Sequence, residues 1–570
     1  MKKCLQIVIR NSKIVNLLTY MRIIITILII FYSLIQGYTQ QTVGLFSNDS
    51  TSYNGYTLIA PLLSNEVYLI DNCGEMVNEW TSSTYRPAAS VYLLEDGSLL
   101  KTCNPQTGKF VVGGTGGRLE KYDWNDNLTW SFDYASETFQ LHHDIALLPN
   151  GNILALAFDL LDSAEAYNIG LDTSLYFGDF WSEKVVELQP VGIDSAIIVW
   201  EWRLKDHFVQ DIDANRSNFG NVKNNRQLVN LNYSGNSYFG DDWFHANSLA
   251  YNEDLDQIVI STRNFSEFWI IDHSTTTQEA QGHTGGNSGM GGDILYRWGN
   301  PDTYNTGTQT DRKLYGQHDV HWIPANYREG GKIIVFNNGF NDPDEISKVH
   351  TINPPIDSNG NYSFTPSMVN EPFDFDWTYK LPLFVDFISG VNRLPNGNTL
   401  ICSGPNGRVF ELDSMENIVW EYINPVGNNN IASQGDMPSQ NLLFRAYRYG
   451  TDYPAFDGRT LTPQAPLELN PWTSNCTIHW FTDVEDIPKN IEANILGNPF
   501  NHQLRLENNT NKVLNIKIVD ALGRNVTSFQ TSDILSTVQT QNWADGMYLV
   551  IMQMEGQSTI QTHKVLKLSH

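Results

Sequence analysis

The sequence predicts an all-β protein, a six-bladed β-propeller over residues 41–485 followed by a small C-terminal β-sandwich over residues 486–570. Three observations carry this expectation. A strand–turn–strand unit recurs along the chain, each unit continues into a hairpin tipped by Trp or an acidic residue, and no long segment with a 3.6-residue period competes. Composition agrees: 41% of the 570 residues are apolar, only 17% are charged, and 42 Gly with 23 Pro demand many turns. The net charge of −27 argues against a nucleic-acid partner, because affinity for a polyanion comes from clustered Lys and Arg.

The first element is an address. Residues 23–35 (IIITILIIFYSLI) follow Met21-Arg22 and precede a polar stretch, Gln36 to Gln40. Thirteen helical residues span roughly 20 Å, too short for a hydrocarbon core of roughly 30 Å. Residues 1–40 therefore read as a signal peptide, with Met21 as an alternative start. No later segment has transmembrane length, so the mature protein is expected outside the cytoplasm, secreted or at the cell surface.

The repeating unit is clearest in Ala89 to Gly97, His143 to Gly151 and Ser389 to Gly397, each an apolar strand ending in Asp-Gly or Asn-Gly. His318 to Pro324 and His245 to Tyr251 match the strand, with Pro324-Ala325-Asn326 and Asn252-Glu253-Asp254 as their turns in place of Asn-Gly. Such turns are expected to be type I′, with positive φ at both central residues. Second halves of units follow, as in Leu119 to Asp123 leading to Trp130, Val409 to Asp413 leading to Trp420, and Val67 to Asp71 leading to Trp80. Units of four short strands repeated about six times are the mark of a propeller, against a large sandwich or a solenoid.

Once Cys4 leaves with the signal, Cys73, Cys103, Cys402 and Cys476 remain, widely spaced and without a C-x-x-C pair. Export permits one or two disulfides in any of three pairings, and Cys402, inside an apolar run, reads as a buried thiol. After Pro488 the strands alternate without the unit pattern. Asn498-Pro499-Phe500, Asp520 to Arg524, Gly546 to Leu549 and Lys564 to Lys567 resemble, in order, the C-terminal sorting domain of the bacterial type IX secretion system. That resemblance implies passage across the outer membrane by the type IX machinery.

First strands of propeller units line the central channel, so ligands are met there. Aligned on their turns, the units bring Ala89, His143, His245, His318 and Ser389 to one position, with His at three of five against 13 in the whole chain. His143, His245 and His318 are the expected catalytic groups, joined by Arg263, which ends the next strand of the His245 unit. Asn247 lies two residues beyond His245 on the same strand face. Ser389 and Arg448 complete the expected substrate contacts, while Arg445 and Arg448, set among aromatics, also suit closure of the ring. No metal or cofactor is expected: zinc bonds of about 2 Å do not fit side chains from strands spread around a channel, and no carboxylate pattern accompanies them. Gly113 to Gly117 lacks the Lys-Ser/Thr of a phosphate loop. Gly282 to Gly292 reads as a flexible loop, and Asp211 to Val222 departs from a calcium loop at Arg216 and Val222. A G-x-S-x-G elbow is absent.

Trp243 to Ser248 with Ile258 to Arg263, Tyr296 to Gly299, Gln317 to Asp319 and Val335 to Gly339 resemble the bacterial aryl-sulfate sulfotransferases. Asp206 to Asp211 with Asn218 to Gly220 is similar to that family's long insertion. The resemblance spans roughly residues 55 to 480. It implies a six-bladed propeller that moves a sulfuryl group from a phenolic sulfate ester to a phenol acceptor through a sulfated histidine, without a nucleotide. His245 and His318 match family positions, whereas His143 comes from the repeat alone. Two departures stand out: Ser389 occupies a position where another channel His is expected, and Phe340-Asn341-Asp342 lacks an expected Arg. The rivals are a non-catalytic surface propeller binding a glycan, sulfated ligand or protein, and an aryl sulfate hydrolase.

Overall fold

A computed structural model describes residues 41–570 apart from 107–108, 173, 175–178, 234–241, 358–359, 364–370, 429, 473–475, 479–492, 497–499, 510–511, 521–523, 555–559 and 569–570. The signal segment 1–40, and parts of the first two sorting-domain motifs, lie outside the described residues. Among the described residues, no helix is long and apolar enough to cross a membrane. The fold is all-β and divides into two units, residues 1–479 and 480–570.

Among the described residues the first unit holds six antiparallel sheets, each led by one strand: Arg86–Leu93, Phe139–Leu147, Ala246–Asn252, His318–Trp322, Gly390–Arg393 or Tyr447–Gly450. Four sheets are consecutive four-stranded meanders. The two others borrow from the N-terminus: Gly44–Asn48 pairs with Ile418–Ile423, and Gly55–Ile59 lies between Tyr447–Gly450 and Val67–Ile70. Both ends of the unit are thereby tied into sheets of distant sequence.

The turns differ from the sequence expectation in one detail. Gly97, Gly151 and Gly397 have φ of 84°, 85° and 84°, but the Asp or Asn before each does not have positive φ. The turn bond runs from the Gly N–H to the carbonyl three residues earlier (2.9 Å in all three cases), the three-residue hairpin loop with a left-handed glycine at its end. The Asp or Asn is selected for another reason. Its side-chain oxygen accepts the N–H two residues on, at 2.8 Å for Asp96, 2.9 Å for Asn150 and 3.1 Å for Asn396.

The Trp of the outer strands has an equally local cause and a global effect. Each indole is buried or half-buried against the neighbouring sheet and donates its N–H there. Trp80 donates to the Asp123 carbonyl (2.9 Å), Trp130 to Ser195 (2.9 Å), Trp200 to the Thr275 hydroxyl (3.1 Å), Trp298 to the Pro372 carbonyl (2.9 Å), Trp377 to Glu416 (3.0 Å) and Trp420 to the Asn72 carbonyl (2.8 Å). Every sheet thus reaches the next, and the last bond returns to the sheet that holds Trp80.

Cys73 and Cys476 form a disulfide across 403 residues, while Cys103 and Cys402 are free and buried. The bridge fastens the segment after the last strand to a turn of an N-terminal strand pair. Replacing both Cys by Ser is expected to cost about 2–4 kcal/mol, seen as a lower denaturant midpoint with an unchanged native spectrum. An unchanged midpoint would mean that strand pairing alone closes the unit.

The second unit carries a three-stranded sheet (Ala493–Leu496, Gln503–Asn508, Leu535–Gln539) and a four-stranded one (Leu514–Asp520, Asn525–Thr531, Gly546–Met554, Ile560–Lys567). Leu504, Leu506, Ile516, Ile518, Val550 and Met552 form its core, the inward half of alternating strands.

Candidate active site

Four of the six leading strands bulge near the start, where one strand presents extra residues to its neighbour. Register shifts fall between Pro87 and Val91, opposite Ala155–Ala157 for the strand carrying His143, between Ala246 and Ser248, and between His318 and His321. A bulge turns a side chain off the regular alternation of a strand. Here the backbone enters the left-handed region at His143 (φ 49°), His245 (φ 52°) and Asp319 (φ 56°). Non-glycine residues held there cost about 1–3 kcal/mol each, so packing must fix them.

The bulged His-Asp pairs divide the labour. The imidazoles line a cavity, while the aspartates beneath it join leading strands. Asp144 accepts the Leu249 N–H (2.9 Å) and Asp319 accepts the Val391 N–H (2.8 Å), each on another leading strand. Ser248 does the same for the Val320 N–H (3.0 Å). Arg445 reaches both carboxylates, 2.7 Å from Asp144 and 3.0 Å from Asp319, and all three side chains are buried. Burial opposes the charge on Arg445, yet the two aspartates hold its pKa well above the ordinary value.

The cavity has a volume of about 580 Å³ and is lined by His143, His245, His318, Arg263, Asp242 and Asn264, with Trp181, Phe387 and Phe444 among its apolar walls. The His143 and His245 rings meet edge to face with centroids 4.7 Å apart. Phe444 lies 6.2 Å from His143 and 6.5 Å from His318.

Hydrogen-bond partners fix the tautomers. The Asn338 amide gives its N–H groups to the carbonyls of Val385 (3.1 Å) and Ile388 (2.9 Å), so its oxygen accepts from His318 Nδ1 at 2.7 Å. Neutral His318 then has its lone pair on Nε2. His245 Nδ1 is bonded to the Asp242 carboxylate, which leaves Nε2 of that ring to carry a proton or give it up. For His143 the bond is relayed. Glu183 faces His142 Nε2 at 2.8 Å, and His142 Nδ1 faces His143 Nδ1 at 2.9 Å. With Glu183 accepting, His143 Nδ1 is the donor and its Nε2 also carries a lone pair.

Electrostatics sharpen these roles. Burial, then Arg263, and also His245 and Arg445, hold His318 well below the usual imidazole range, against the opposing Asn338 bond. Burial, His245, His142 and His318 do the same to His143. Burial pushes Asp242 up, but His245, His142 and Arg263 bring it below the usual carboxylate value. Arg263 lies over the Phe340 ring at 5.1 Å and donates to Asn264 at 3.1 Å.

His143, His245, His318 and Arg263 are thus brought together. The other three expected contacts are not among the residues lining the cavity. Arg448 is paired with Glu411 and lies 4.0 Å over Trp420, inside the interior of its own end of the fold. The Ser389 hydroxyl accepts the Gly404 N–H (3.0 Å), holding the loop behind the wall. Asn247 donates to the Gln317 carbonyl (2.8 Å), linking two leading strands. Asp242, Asn338, His142 and Glu183 escaped the sequence reading because none occupies an aligned position. Asp242, three residues before His245, and His142, adjacent to His143, were the available signals.

Solved structures similar to the chain include a protein of unknown function from Bacteroides caccae, at 11% identity and TM-score 0.35, covering 65% of this chain and 94% of that one. A streptogramin B lyase matches at 11% and 0.33, covering 68% and 88%. A putative 6-phosphogluconolactonase from Bacteroides fragilis matches at 11% and 0.34, covering 70% and 99%. Values this low say nothing of activity. No curated protein matches the chain. Residues 494–567 match the secretion system C-terminal sorting domain, the signal for type IX export to the cell surface or medium. Residues 47–430, more than half of the chain, match the family model described as Arylsulfotransferase (ASST), and the chain belongs to that family.

Proposed function

We propose that the protein is an exported aryl-sulfate sulfotransferase that passes a sulfuryl group from a phenolic sulfate ester to a phenol through a sulfated His318. The observation that carries this reading is the cavity in which three imidazoles, each held through Nδ1, stand with Arg263. We take the six sheets, closed in a ring by the Trp bonds, as six propeller blades, with the cavity on their axis. The two sheets of the second unit are read as the sandwich of the sorting domain.

In the first step His318 Nε2 attacks sulfur while the S–O bond to the aryl group breaks. His245, as an imidazolium backed by Asp242, gives its Nε2 proton to the departing phenolate. The sulfated ring keeps its Nδ1 hydrogen on Asn338, and Arg263 faces the sulfonate oxygens. In the second step His245 takes the proton of an acceptor phenol, whose oxygen attacks sulfur as the S–N bond breaks. Neutral His318 is regenerated. Sulfuryl transfer, like phosphoryl transfer, has a loose transition state with charge on the equatorial oxygens, so positioned donors matter more than covalent help. Arg263 supplies the cation that the chain after Gly339 lacks.

The test incubates the full chain with p-nitrophenyl sulfate, with and without phenol. Transfer requires phenyl sulfate formation and a trappable sulfohistidine. Free sulfate regardless of phenol would mean hydrolysis, and silence in both would leave a binding protein. Gly114 offers a separate probe of the site. Its φ is 75°, and a Cβ there would stand 2.2–2.4 Å from three atoms of the His143 ring. Gly114→Ala is therefore expected to displace that ring and lower turnover about 10- to 100-fold without unfolding the protein. Unchanged kinetics would mean that the placing of the His143 ring has no part in turnover.

A further inference from the structure

A second cluster lies outside the three-histidine cavity, where the turn Leu204–His207 meets the glycine loop of residues 282–293. The loop is fastened rather than loose. Its backbone bonds include Gly291 N–H to Gly285 (3.0 Å) and Gly292 N–H to Gly282 (3.1 Å), and Asp272 accepts the Ser288 N–H (2.8 Å). At Gly292 the approach is so close that a Cβ would stand 2.0 Å from the Ala280 carbonyl and 2.7 Å from His207 Nε2.

His207 is fully buried and stacked on Trp202, with centroids 5.7 Å apart and 6° between planes. Its Nε2 lies 2.9 Å from the Ala280 carbonyl oxygen, which can only accept, so Nε2 carries the hydrogen. That leaves Nδ1 to face Asp293 Oδ1, 2.9 Å away and almost buried. His283 Nδ1 approaches the same oxygen at 2.7 Å, with 58% of its side chain exposed. Two imidazoles, one from the turn and one from the loop, thus converge on one buried carboxylate oxygen. All three donor atoms lie within 4.8 Å of one another. Donors set tetrahedrally around an ion with bonds of about 2.1 Å stand roughly 3.4 Å apart, so an ion would part the two His–Asp contacts by about half an ångström.

We propose that His207, His283 and Asp293 bind one divalent transition-metal ion, with zinc the first candidate, which clamps the glycine loop to the turn Leu204–His207. Two imidazoles and a carboxylate favour late first-row ions over calcium or magnesium. His207 is the rigid ligand: Ala280 fixes its tautomer and Trp202 its plane, as outer-shell partners of metal-bound histidines do. Exposed His283 provides the entry path. The ion would be structural and independent of sulfuryl transfer.

The test strips the full chain with a chelator, equilibrates it with zinc, desalts it and measures bound metal. One zinc per chain is expected in the wild type and none above background in His283→Gln, a surface change that leaves the fold intact. Zinc should raise the melting temperature of the wild type and not that of the variant. Equal zinc in the two proteins would locate the metal elsewhere and overturn the proposal. No zinc in the wild type would overturn it as well, leaving His207 and His283 as hydrogen-bond partners of Asp293 alone.

Discussion

Replacing His318 by Asn is expected to cut turnover of p-nitrophenyl sulfate about a thousandfold or more, and to abolish the labelled protein adduct altogether. The reason is that only this ring has a neutral amide, Asn338, holding its Nδ1 hydrogen, in surroundings that keep it uncharged. Because burial and Arg263 hold His318 below the usual imidazole value, its nucleophilic form should persist as pH falls through that ordinary range, and the rate should fail only at lower pH. His245→Asn should behave differently. General acid catalysis is worth about 10²- to 10⁴-fold, and less for a leaving group that needs no proton. The variant should therefore lose more activity with phenyl sulfate than with p-nitrophenyl sulfate, and still form the adduct. A normal burst of nitrophenolate from His318→Asn would sink the assignment, and its loss from His245→Asn alone would transfer the nucleophile to that ring.

The sheets were legible because their causes are local. Asp96-Gly97, Asn150-Gly151 and Asn396-Gly397 announce hairpins, and a Trp marks the second half of a unit, although its bond to the next sheet is a feature of the fold. The position of His143, His245 and His318 at one end of the leading strands followed from alignment on those turns. What alignment could not give was side-chain direction. The bulges break the two-residue alternation near the cavity, so equivalence in sequence no longer means equivalence in aim. Ser389 is aligned with the histidines yet turns its hydroxyl to the Gly404 N–H. Just before the strand Tyr447–Gly450, Arg445 enters the network under the cavity, whereas Arg448, within that strand, goes to Glu411. The helpers Asp242, Asn338 and Glu183 come from loops or other strands, where no period marks them. Likewise Gly282 to Gly292 reads from its glycines as a flexible loop, and its order comes from partners outside it such as Asp272 and Asp293, unmarked in sequence.

Arg445→Met is expected to cost about 3–5 kcal/mol of stability, because it leaves Asp144 and Asp319 buried without their shared counter-charge. Methionine keeps much of the volume, so the loss reports charge rather than a cavity. The aspartates cannot move out to water, since Asp144 also holds the N–H groups of Ile145 and Leu249, and Asp319 that of Val391. Adding Asp144→Asn and Asp319→Asn to the Met variant should recover part of the loss by removing the stranded charges. Two pH readouts separate this from general damage. Burial raises Asp319, but Arg445 and His321 bring it below its ordinary value in the folded protein. Its contribution is therefore complete above the unfolded value near about pH 4 and fades as pH falls through the folded one. The Met variant should lose that acid-sensitive increment. Arg445 also disfavours protonation of His143 and His318, so its removal should shift the acid limb of kcat/KM to higher pH. A loss of stability with both pH profiles unchanged would mean that Arg445 only fills space, and the link between the frame of the fold and its chemistry would lie elsewhere.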